Sequence, residues 1–94
     1  MNSTQLLQEA RDLYASAPSH VARGSWPDTG TYCVITAIGA VSDRAKLPNT
    51  VENRILTQAI KRVKAQVGDV ALIDFNAEND TETVLAVFDS AIRS

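Results

Sequence analysis

The sequence predicts a small all-α bundle of about four helices with one short extended segment, a single domain over residues 1–94. Three observations point there. Apolar residues recur at helical spacing in four separate stretches. The connections between them are short and marked by Pro, Gly, Asn and Asp. The 94 residues, 45% hydrophobic and 21% charged, suffice for one core and no more. The runner-up is an α+β arrangement with residues 32–38 and 70–75 as strands, although two parallel strands alone make a poor sheet.

Residues 3–17 place Leu6, Leu7, Ala10, Leu13, Tyr14 and Ala17 on one stripe, with Gln8, Glu9, Asp12 and Ser16 opposite and Pro18 as the stop. From Ser19 to Gly30 periodicity vanishes and Gly, Pro, Ser and Asp cluster, predicting an ordered loop that holds the only Trp, Trp26. Over residues 31–42 a helical projection gathers Cys33, Val34, Ala37, Ile38, Ala40 and Val41 into one broad arc. This predicts a nearly central helix with Cys33 buried inside it, and Gly39 and Ala40 leave room for another helix to approach. After Pro48, Asn49 and Glu52 have the spacing of a capping box. Val51, Ile55, Leu56, Ala59, Ile60, Val63 and Val67 then make a wide apolar face ending at Gly68. Residues 69–76 form a short apolar run readable as strand or as an extended segment across the bundle. Asn79 or Asp80 caps a last helix whose inward face is Val84, Leu85, Val87, Phe88, Ala91 and Ile92.

Nine basic and eleven acidic residues give a net charge of -2, which disfavours nucleic acid as the main partner while leaving a local basic patch open. The lone Cys33 has no intrachain disulfide partner, and with His20 it offers a metal at most two side chains, so no metal or cofactor is expected. Glu9, Arg11 and Asp12 interrupt any signal-peptide core, and no apolar stretch reaches membrane-spanning length; the expectation is a cytoplasmic protein with no membrane contact.

Two stretches carry a resemblance. Cys33-Val-Ile-Thr-Ala-Ile38 is similar to a Cys followed after two residues by Gly-Ala-Leu, with Thr36 in place of Gly. Ile73-Asp74-Phe75-Asn76-Ala77, running on through Thr83-Val84-Leu85 to Ala91, is similar to an apolar residue, Trp-Asn-Asp and a Thr-led helix, with Phe75 for Trp and Ala77 for Asp. Together they resemble a family of short proteins of unassigned function from actinobacteria and their phages, over the span from about Trp26 to the C-terminus. The resemblance implies a small, mostly helical intracellular protein, phage-encoded in some settings, and brings no catalytic residues with it.

The chemistry-bearing residues divide between packing and function. Cys33 and His20 make a nucleophile and base on paper, but the apolar neighbours of Cys33 point to packing. The alternation Asp74, Asn76, Glu78, Asp80, Glu82 resembles the ligand order of a calcium loop, yet Leu85 stands where the closing Glu belongs, which favours helix capping. Trp26 is a lid over the bundle end or an exposed anchor for a partner. Charge is the most informative pattern. Residues 44–67 carry +5 and residues 68–94 carry -5, and Arg54, Lys61 and Lys64 share the polar face of the third helix. The leading expectation is a non-enzymatic protein-interaction module, a phage-encoded modulator binding a host or other cellular protein through Trp26, Arg54, Lys61 and Lys64. The alternatives are a small hydrolase or transferase using the Asp74–Glu82 acids and a weak nucleic-acid binder. Homo-oligomerisation stays open.

Overall fold

The computed structural model describes residues 1–20 and 30–94, and its architecture is all-α: α1 (Ser3–Ser16), α2 (Val34–Ala45), α3 (Asn49–Val67), α4 (Leu72–Glu78) and α5 (Thr81–Arg93). Among the described residues there are five helices where about four were expected, because the run read as strand or extended is itself helical. Among the described residues the only β-type pairing is an isolated bridge between Pro18 and Tyr32, so the α+β alternative does not hold. Helix α1 packs against α2, α3 and α5, and α4 sits across α2 and α3.

Each helix end has a local cause. The side chain of Asn2 accepts the Gln5 N–H at 2.8 Å while the Gln5 side chain accepts the Asn2 N–H at 3.0 Å, a reciprocal cap at the start of α1. Beyond Ala17 the chain leaves the helix, and the bonds Ser19 N–H to Tyr32 O and Tyr32 N–H to Ala17 O, both 2.8 Å, bring the start of α2 beside the end of α1. Cys33 is buried at 3% exposed, as expected, but is not helical: its extended backbone makes it the N-cap of α2. Its Sγ accepts the Thr36 N–H at 3.5 Å, and its own N–H donates to Thr36 Oγ1 at 2.8 Å.

Helix α3 also differs from the expectation at its start. Pro48 is the N-cap and makes no side-chain cap. Glu52 reaches instead across to α2, accepting the Ser42 hydroxyl at 2.8 Å, so the carboxylate meets a nearly buried donor rather than the end of its own helix. At the far end Gly68 takes φ +74°, a conformation that strains any residue with a Cβ.

Helix α4 forms because a helix puts Leu72 and Asn76, one turn apart, on the same inward face; a strand would have put Asp74 on that face with them. The Asn79 side chain donates to the Phe75 carbonyl and closes α4, and Asp80 caps α5 by accepting the Thr83 N–H at 2.8 Å.

The core comprises Leu6, Leu7, Ala10 and Tyr14 of α1, Val34, Ala37, Ile38 and Val41 of α2, Ile55, Ala59 and Val63 of α3, Leu72 of α4, and Val84, Phe88 and Ala91 of α5. Of the apolar faces expected for α1 and α5, Leu6, Leu7, Ala10 and Tyr14 and Val84, Phe88 and Ala91 are buried, while Leu13, Ala17, Leu85, Val87 and Ile92 are half-buried at the margins. That of α3 is narrower than expected: Ile60 is half-buried and Val51 faces solvent. A Cβ on Gly39 would meet nothing within 4 Å, so the expected close helix approach does not occur there. The rings of Tyr14 and Phe88 lie 5.9 Å apart at the centre of the α1–α5 contact. Phe88→Ala is therefore expected to cost about 3–5 kcal/mol, a large part of the stability of so small a domain, read as the shift of a urea or thermal unfolding midpoint.

Candidate functional site

Two polar arrangements stand out: one buried at the α4–α5 corner, the other on the outer face of α3. The buried one is built around Asn76. Its side chain is fully enclosed, accepting the Val34 N–H at 3.0 Å and donating to the Ser19 carbonyl at 2.5 Å. One amide thus satisfies an N–H that the first turn of α2 cannot satisfy itself and a carbonyl just beyond α1. The next residue along from Ser19 closes the arrangement. His20 Nδ1 lies 2.7 Å from the Asn76 carbonyl, and Nε2 lies 3.2 Å from the Tyr14 hydroxyl and 3.1 Å from Thr81 Oγ1. A carbonyl only accepts, so Nδ1 carries the hydrogen, while the two hydroxyls at Nε2 can each donate or accept.

This geometry decides how Cys33 and His20 relate. Both imidazole nitrogens are engaged with Asn76, Tyr14 and Thr81, while the Cys33 sulfur is held by the N–H and hydroxyl of Thr36, at 3.5 and 3.4 Å. The two side chains serve different ends of the same corner. The acids of residues 74–82 are likewise dispersed: Asp80 caps α5, Glu78 and Glu82 are exposed, and the one amide in the series, Asn76, is turned inward. Among the described residues no group of three or more His, Cys, Asp or Glu side chains is placed to hold a metal ion.

Burial pushes the Tyr14 phenol above its ordinary value, with the Thr81 hydroxyl drawing it partly back. The Asp80 carboxyl is held below the usual carboxylate value, first by the Thr83 hydroxyl and then by its N–H.

On α3, Arg54 and Lys61 lie on the exposed face, as the charge pattern implies. Among the described residues neither makes an ion pair; the ion pairs there are those of Arg11 with Asp12 and Asp89. Lys64 is half-buried, and its ammonium donates to the Val70 carbonyl, tying the end of α3 to the turn that follows. Trp26, the fourth residue expected to bind a partner, lies outside the described residues.

Sequence reasoning missed Arg62. Its Nη1 donates to Ser3 Oγ at 2.9 Å and Thr4 Oγ1 at 2.8 Å, and its Nη2 to the carbonyls of Ile92 at 2.9 Å and Ser94 at 3.1 Å. One guanidinium therefore joins the start of α1 to the end of α5, where carbonyls lack helical partners. Its position at the margin of the polar face, next to the apolar arc, is the one sequence signal that separates it from Arg54 and Lys61.

Asn76→Leu strands the Val34 N–H and the Ser19 carbonyl and is expected to cost about 1–3 kcal/mol for each group left unpaired. Asn76→Asp keeps the first bond but turns an acceptor toward the Ser19 carbonyl. The introduced buried carboxyl has a raised pKa in the folded state, so this variant should be most stable in acid, where the group is protonated and donates. It should lose stability as pH climbs from about 4 toward the raised value, in denaturant melts across pH. For Tyr14 the folded-state value lies above its ordinary 10.0, so stability should fall as pH rises beyond about 10. Tyr14→Phe should lose about 0.5–1.5 kcal/mol at neutral pH and show a shallower alkaline decline.

No family model, no curated protein and no solved structure matches this chain, so its function is read from the side chains just described.

Proposed function

We propose that this chain is a non-enzymatic protein-interaction module that docks an acidic protein surface on the outer face of α3. The observation that carries this reading is the stripe Val51, Arg54, Gln58, Lys61 and Ala65: all five are exposed and spaced to share one side of the helix, with no acid among them. Its two cations make no ion pair among the described residues, and Val51, 36% exposed, adds an apolar edge to the charged strip. Unpaired surface cations contribute little to folding but steer and select an oppositely charged partner. The side chains that would serve catalysis, Cys33 and His20, support the same reading, since their polar atoms are engaged in holding helix ends together. The resemblance to short phage and actinobacterial proteins suggests the setting: a phage-encoded, cytoplasmic modulator acting on a host protein.

The test is Arg54→Glu with Lys61→Glu, leaving Lys64 to its Val70 carbonyl. The melting curve should stay within a few degrees of wild type, because exposed charges contribute about 0–1 kcal/mol each. Affinity capture from cell extract at low salt should retain a protein partner that resists nuclease treatment, and both the double reversal and high salt should release it. Capture unaffected by the reversal would overturn the docking face; capture abolished by nuclease would replace the protein partner with nucleic acid.

A further inference from the structure

The docking face on α3 has a complement elsewhere on the same molecule. Glu78 at the end of α4, the cap Asp80 and Glu82 in the first turn of α5 are all exposed and fall within five residues. Helices α3 and α5 pack side by side, yet among the described residues no ion pair joins the +5 segment 44–67 to the -5 segment 68–94. The acid of α5 that is paired, Asp89, is taken by Arg11 of α1 at 2.6 Å. The cations of α3 and the acids of the corner are therefore left unpaired within one chain, and the net charge of -2 leaves little general repulsion between copies.

Resting on the α3 reading, we propose that the acidic surface it docks is the α4–α5 corner of a second copy of this chain. Arg54 and Lys61 of one copy meet Glu78 and Glu82 of the next. The contact joins two different patches, so it is head-to-tail: each copy that uses its corner still has its α3 face free, and association continues beyond two unless a ring closes. A contact built from a few rim charges and the edge of Val51 is weak and strongly salt-dependent.

Two variants separate the halves of the contact, each removing charge without touching the Asp80 cap or the Lys64 tie: Arg54→Gln with Lys61→Gln, and Glu78→Gln with Glu82→Gln. Sedimentation equilibrium at about 0.01 M salt, where charges act over roughly 30 Å, should show wild type gaining average mass with concentration and reverting to monomer at about 1 M. Each variant alone, folded by circular dichroism, should remain monomeric. Mixed in equal amounts they should associate and stop at a one-to-one dimer, because the mixture holds one intact face and one intact corner per pair. Wild type that stays monomeric at low salt would overturn self-docking while leaving the α3 face to a foreign acidic partner. Wild-type association that survives the Glu78→Gln, Glu82→Gln change would overturn the corner as its complement, and survival of the Arg54→Gln, Lys61→Gln change would overturn the α3 face itself.

Discussion

A single enclosed amide, that of Asn76, anchors a helix too short to persist by itself. At seven residues and without a side-chain N-cap, α4 is far below the length at which a helix persists by itself, so its stability is tertiary. Leu72 supplies the apolar part of that docking and Asn76 the directional part, through the first turn of α2 and the carbonyl of Ser19. The ring of His20 then binds the carbonyl of the same Asn76 and the Thr81 hydroxyl at the start of α5. The end of α1 and the starts of α2 and α5 are thus aligned through one residue, and every buried polar side-chain atom among the described residues has a partner. The exposed acids of the corner inherit their position from this enclosed arrangement.

Basic side chains of similar sequence character do unlike work according to where helix ends fall. Arg62 and Lys64 lie within reach of carbonyls at the end of α5 and in the turn after α3, and both are drawn in as ties: Arg62 between the extremities of α1 and α5, Lys64 between α3 and the turn leading to α4. Arg54 and Lys61 sit over the middle of α3, where carbonyls are already paired along the helix, and keep their charge toward solvent. The geometry of helix termini, more than the count of charges, decides which cations are structural and which are available to a partner.

Much of the bundle was legible because four of its helices are long enough for their period to show. Leu6, Leu7, Ala10 and Tyr14, and again Val84, Phe88 and Ala91, leave no other assignment over three or four turns. Seven residues give fewer than two turns, and in Leu72–Glu78 a strand and a helix bury nearly the same apolar atoms; a lone amide one turn after Leu72 was the available clue. At Glu52 the spacing to Asn49 was right for a cap, but sequence distance carries no information about Ser42 on a neighbouring helix. Cys33 was correctly placed inside and wrongly placed in the helix, since a thiol that caps and a thiol that packs have the same apolar neighbours. Arg54 and Lys61 were legible as a face because exposure follows from helical projection; the tie made by Lys64 was not, because it depends on where the backbone turns after Gly68.

The pairing of the first helix with the last also sets a timetable. Arg11 and Asp89, joined in the finished bundle, are 78 residues apart. At about 5–20 residues per second a ribosome takes roughly 4–16 s to make that stretch. Throughout the interval Tyr14 awaits the ring of Phe88, and the Arg62 that ties Ser3 and Thr4 awaits its partners Ile92 and Ser94. Local contacts cannot complete this core piecemeal. The side of α1 that faces α5 therefore stays uncovered until α5 is made, after α2 and α3 have already covered the rest of the helix.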